Sequence, residues 1–70
     1  MVDKGSAAID ELVDLLTTAG YQVTNVGARY RIVNPEGGSP VFMPHRLPRG
    51  ARISSIVTGL NSIGFDVEQP

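Results

Sequence analysis

The sequence predicts an α+β fold of order α-β-β-β-α(-β), a three-stranded antiparallel sheet with two helices packed on one face. Three observations carry this expectation. Two segments, one near each end, repeat apolar residues at i, i+3, i+4, i+7, the spacing of a single helix face. Between them lie three short runs rich in β-branched and aromatic residues, punctuated by glycine and proline. The chain has 70 residues, 41% of them hydrophobic, and no cysteine. One domain over residues 1–70, centred on 6–64 and held by packing alone, is therefore expected.

The first helix is predicted over 7–19. Ile9, Leu12, Val13 and Leu16 form its apolar stripe, and Asp10, Glu11, Asp14 and Thr17 its polar side. Ser6 suits the N-cap, the early acids suit the positive helix end, and Gly20 suits the position just past the C-terminus. A strand over 21–26 follows, then a short turn at Gly27-Ala28 and a second strand over 29–33. Strand alternation puts Arg29, Arg31 and Val33 on one face and Tyr30 and Ile32 on the other. Because Tyr30 and Ile32 need burial, the two arginines must point away from the core. Residues 34–40 read as a turn, and Val41-Phe42-Met43 as a third strand that Pro44 ends. After a loop over 45–50, a second helix is predicted over 51–62 on Ile53, Ile56, Val57 and Leu60, with Gly64 ending it. Phe65-Asp66-Val67 fits a fourth short strand or a tail. The stretch 16–23 also echoes 60–67, which is read as the same helix-ending chemistry twice rather than as a repeat.

Composition excludes several classes. No apolar run approaches the roughly 20 residues of a bilayer span, and the first six residues hold an acid and a glycine where a secretion signal needs an apolar stretch. A cytoplasmic protein without membrane contact is expected. The absence of cysteine and the single histidine argue against a metal site, and no cofactor motif is present. Gly37-Gly38-Ser39 is a turn and not a phosphate loop, since neither a lysine nor a helix follows it. A core of this size rarely supplies more than ~3–5 kcal/mol, so a homodimer or a partner that covers apolar surface is expected.

The formal net charge of −1 hides a polarity along the chain. Asp3, Asp10, Glu11 and Asp14 outnumber Lys4 in the first 14 residues, whereas 29–52 carries Arg29, Arg31, Arg46, Arg49 and Arg52 against Glu36 alone. That pattern suggests one cationic face on a neutral protein. Arginines merely scattered over a solvated surface are the alternative, and the choice belongs to geometry.

The α-β-β-β-α order is that of double-stranded RNA-binding domains. A more specific likeness lies in a helix ending at Ala19-Gly20-Tyr21, then Gly27-Ala28-Arg29-Tyr30-Arg31-Ile32, Met43-Pro44-His45, and Arg49-Gly50-Ala51-Arg52-Ile53-Ser54-Ser55-Ile56. In order and spacing, over roughly residues 8–63, these resemble the HicA-type mRNA interferases. Those are small toxins of toxin–antitoxin systems with a double-stranded RNA-binding-like fold, normally neutralised by a HicB antitoxin. The resemblance implies RNA as substrate and a HicB-like antitoxin as partner, while the cationic face by its charge would suit another acidic protein. The family's hallmark is Gly-Ser/Thr-His at the start of the second strand, where the histidine is catalytic. Here Gly27-Ala28-Arg29 stands in its place. A guanidinium stays protonated and cannot act as a general base, although it can bind phosphate or stabilise developing charge.

The sequence thus points to a HicA-like domain that contacts RNA or DNA backbone without being a competent ribonuclease. Its expected contacts are Arg29, Arg31, Arg49, Arg52 and Arg46. Arg29 and Arg31, two apart on one strand, have Cα atoms about 6.6–6.8 Å apart, close to the spacing of successive phosphates. Arg49 and Arg52 open the second helix, where the free N–H groups favour an anion. Their alternative is pairing with Asp10, Glu11 or Asp14. His45 is the one candidate for a replacement general base, weighed against local packing in its loop. An aromatic content of 6% offers little for base stacking, so duplex or backbone recognition is favoured over a stacking platform. Two competing readings are an active endoribonuclease with a rewired site built on His45 and Arg29, and a protein-interaction module that uses the cationic face or pairs its last strand with another chain.

Overall fold

A computed structural model describes residues 4–70 of the chain. It contains helix α1 (Lys4–Thr18), strands β1 (Gln22–Val26), β2 (Arg29–Val33) and β3 (Val41–Pro44), and helix α2 (Ile53–Ser62). The strands form one antiparallel sheet in the order β1-β2-β3. This is the expected α-β-β-β-α arrangement, without the fourth strand. Residues 65–67 join no ladder, yet Phe65 and Val67 are buried with the core.

That core collects one face of every element. Ile9, Leu12 and Leu16 of α1 meet Ile32 of β2, Met43 of β3, and Val57 and Leu60 of α2. Val23, Tyr30 and Val41 pack against them. All three of these, with Ile32 and Met43, lie on the same side of the sheet by register. Both helices therefore cover that side, and the other is open. Its residues are Gln22, Thr24 and Val26 on β1, Arg29, Arg31 and Val33 on β2, and Phe42 and Pro44 on β3.

Local chemistry moves several boundaries. Ser6 is not an N-cap, because α1 is already helical at Lys4. The first turn of α1 carries no acid, so Asp10 and Glu11 lie too far along to meet the helix dipole; Asp3 falls outside the described residues. α2 begins at Ile53 rather than 51. The amide of Ala51 bonds the Pro48 carbonyl at 3.0 Å, closing a β-turn over 48–51, and Arg52 is extended (φ −119°, ψ 143°) as the N-cap. Loop 45–50 is tied to the start of α1 by Leu47 N–H donating to the Gly5 carbonyl at 3.4 Å.

The ladder's alternation assigns the direction of each backbone group. Gly27-Ala28 is a two-residue loop with positive φ at Gly27 alone, the pattern of a type II′ hairpin, and Val26–Arg29 is the pair that closes it. Pro44 opposes Arg29 across β2–β3 and has no N–H, so that pair cannot exchange hydrogen bonds. Both facts fit one alternation. The backbone of 29, 31 and 33 turns towards β1, and that of 30 and 32 towards β3. The N–H and C=O groups of Val23 and Asn25 then point out of the free β1 edge, and those of Phe42 out of the free β3 edge.

Candidate anion-binding face

β2 is the central strand, so its outward side chains occupy the middle of the open face. Arg29 and Arg31 are both exposed. Their cross-strand neighbours are Val26 and Pro44 for Arg29, and Thr24 and Phe42 for Arg31. No carboxylate lies among the open-face residues of the sheet. Neither arginine has an ion-pair partner among the described residues. The face presents two cations from neighbouring same-side positions with nothing to compensate them.

Phe42 belongs to this face and was not legible in the sequence. It is 50% exposed and directly opposite Arg31 in a non-hydrogen-bonded pair, where facing Cα atoms are about 4.5 Å apart and side chains lie closest. Val26, 48% exposed, faces Arg29 across the hydrogen-bonded pair that closes the hairpin, on the same open side. Of the four aromatic residues, Tyr21 and Phe65 pack edge to face with ring centres 5.0 Å apart, and Tyr30 lies on the helix side. Only Phe42 offers its ring to solvent on the open side.

The remaining cations are placed differently. Arg52 is the N-cap of α2 and makes no side-chain capping bond. Arg49 is exposed in the turn before it. The carboxylates of Asp10, Glu11 and Asp14 pair with neither among the described residues. Arg46 is exposed but engaged in an interaction within the chain, so it is not a free cation.

His45 follows Pro44, the cross-strand partner of Arg29, but its ring lies on the other side of the sheet. Its ring meets Tyr30 edge to face, with centres 4.5 Å apart at 62°. Tyr30 projects to the helix-covered side, whereas Arg29 projects to the open side, so the two groups of the rewired ribonuclease do not converge. The Nε2 atom of His45 is buried without a hydrogen-bond partner.

A hollow of about 300 Å³ between β3 and α2 is lined by apolar residues such as Met43, Ile56, Leu60 and Ile63, with no ionisable group. Among the described residues, no three His, Asp or Glu side chains stand together as a metal site, and no helix is long and apolar enough to cross a membrane. No known protein family, curated protein or solved structure matches this chain.

Proposed function

We propose that the open sheet face binds the backbone of a nucleic acid, RNA or DNA, with Arg29 and Arg31 holding successive phosphates. In this reading the chain is a non-catalytic, HicA-like domain. Its support is one observation above all, an unpaired arginine couple on the central strand of a face that carries no acid. Guanidinium groups bind phosphate in a bidentate manner, and the strand spacing suits neighbouring phosphates. Arg49 and Arg52 supply a second cationic spot beside the open N–H groups of Ile53 and Ser54 at the start of α2, the Ser55 N–H being taken by the Arg52 carbonyl at 3.1 Å. Phe42 beside Arg31 adds a surface on which one base can stack, which tilts the reading from a duplex towards a single strand. Arg29 in place of a histidine, with His45 turned to the other side, is the reason to expect binding without cleavage.

Titration of labelled single-stranded RNA, duplex RNA and duplex DNA over a range of salt tests this. Each phosphate contact contributes about 0.7–0.9 to the slope of log K against log salt. Replacing both Arg29 and Arg31 with alanine should flatten that slope by about 1.4–1.8 and leave the far-ultraviolet circular dichroism unchanged. A cleavage gel run alongside should show intact RNA. Absence of binding at low salt, or a slope indifferent to both substitutions, removes the proposal.

A further inference from the structure

The two free edges of the sheet are chemically unlike, and the difference selects a partner. Outward along β3 the alternation places positions 40, 42 and 44, and two of these three are proline. Phe42 alone keeps an outward N–H, and the carbonyls of Pro40 and Pro44 flank it. An added strand would meet two positions without donors, so β3 is protected against pairing. Outward along β1, by contrast, Val23 and Asn25 each present both N–H and C=O. Neither amide has a partner among the described residues. β1 also lacks the usual protections, since Gln22-Val23-Thr24-Asn25-Val26 contains no proline, no glycine and no charge.

We infer that two copies of this chain pair antiparallel through β1, about a two-fold axis at Thr24. The self-pairing is complementary in every position. Val23 of one copy faces Asn25 of the other and exchanges both main-chain bonds with it, and the second such pair follows by symmetry. Thr24 meets its own counterpart as a non-hydrogen-bonded pair, a favourable combination for threonine. Gln22 faces the exposed Val26 and covers part of it. No like charges are opposed along the strand, and a second copy supplies the required strand in the required register. Open faces stay on the same side, so the product is a continuous six-stranded sheet bearing Arg29 and Arg31 twice. The inference stands on the backbone and does not depend on nucleic-acid binding.

Pairing also brings α1, which packs over β1, towards its counterpart, and Asp10, Glu11 and Asp14 are exposed on α1. Added salt screens that repulsion, so association should hold or tighten as salt rises. Sedimentation of the nuclease-treated full chain over a dilution series should therefore show a monomer–dimer equilibrium that survives salt. The chain has no cysteine, which makes Thr24→Cys a unique probe. At the axis the facing Cα atoms lie about 4.5 Å apart, within the roughly 4.4–6.8 Å that a disulfide spans. Mild oxidation should convert Thr24→Cys to a covalent dimer many times faster than Phe42→Cys, an exposed control on the other edge. Thr24→Lys, on the solvent face, should keep its fold by circular dichroism and sediment as a monomer. A wild-type monomer at every concentration overturns the inference. So does a dimer lost on nuclease or salt treatment, an undiminished Thr24→Lys dimer, or equal cross-linking of the two cysteine variants.

Discussion

The two helices end in the same way and lead to different structures. After α1, Tyr21 N–H donates to the Leu16 carbonyl at 3.0 Å and Gly20 N–H to the Thr17 carbonyl at 3.1 Å. After α2, Phe65 N–H donates to Leu60 at 3.0 Å and Gly64 N–H to Asn61 at 3.3 Å. Each is a Schellman motif, with a glycine at φ near +100° and an aromatic just past it that packs towards the helix. The two aromatics then pack against each other. Beyond that point Gln22 enters the ladder with Val33, whereas Asp66 N–H is taken by the Tyr21 hydroxyl at 2.6 Å and Val67 N–H by Asn61 Oδ1 at 3.2 Å. A helix terminus is thus written locally, but a strand exists only where a partner's backbone is within reach. Side chains satisfy the tail's amides, and the corresponding Val23 amide stays open at the β1 edge.

The largest effect is expected from breaking the aromatic of the tail. Phe65 is 3% exposed, and removing a buried phenyl ring typically costs about 3–5 kcal/mol. That equals what a core of this size supplies, so Phe65→Ala should be largely unfolded by circular dichroism at room temperature. Tyr21 is only half-buried, and Tyr21→Ala should leave a cooperative, if weakened, denaturation. Equal damage from both would mean that the tail matters no more to the core than the start of β1.

Next come the cap glycines. A side chain in the left-handed region costs on the order of 1–2 kcal/mol. A Cβ at Gly20 or Gly64 meets nothing within 4 Å, so the cost at both sites is conformational alone. Gly20→Ala and Gly64→Ala should each lower the urea midpoint by a similar amount with an unchanged m-value. A much milder Gly64→Ala would show that the second cap opens before the domain unfolds.

How far the fold is legible in the sequence follows the same division. Ile9, Leu12 and Leu16, and then Val57 and Leu60, reveal their helices because a 3.6-residue period is local. Arg29-Tyr30-Arg31-Ile32 reveals its two faces because polar and apolar residues alternate. Val41-Phe42-Met43 is apolar throughout, so nothing in it tells which residue faces out; pairing with Arg31 decides that, and the stacking surface was missed as a result. Phe65-Asp66-Val67 alternates as β1 does, and its failure to become a strand depends on Tyr21 and Asn61 reaching its amides. Nothing in Ala51 or Arg52 bars a helical start there, but the turn bond from the Ala51 N–H to the Pro48 carbonyl holds both residues out of α2. Of the candidate site, the exposure of Arg29 and Arg31 was readable, whereas the separation of His45 from Arg29 arises from the ring contact with Tyr30.

The smallest expected effect separates the two C-termini most finely. Tyr21→Phe removes only the hydroxyl that accepts the Asp66 amide, at an exposed site where water can take its place. A hydrogen bond of this kind contributes about 0.5–1.5 kcal/mol, and solvent replacement favours the lower end. The ring contact with Phe65 remains, so the global midpoint should scarcely move. Hydrogen exchange should register the change locally. The Asp66 amide should lose protection while the Gln22 amide, held by the β1–β2 ladder, keeps it. Loss of protection at both positions would mean that tail and strand open together, and that the side-chain bonds of the tail help to hold the sheet.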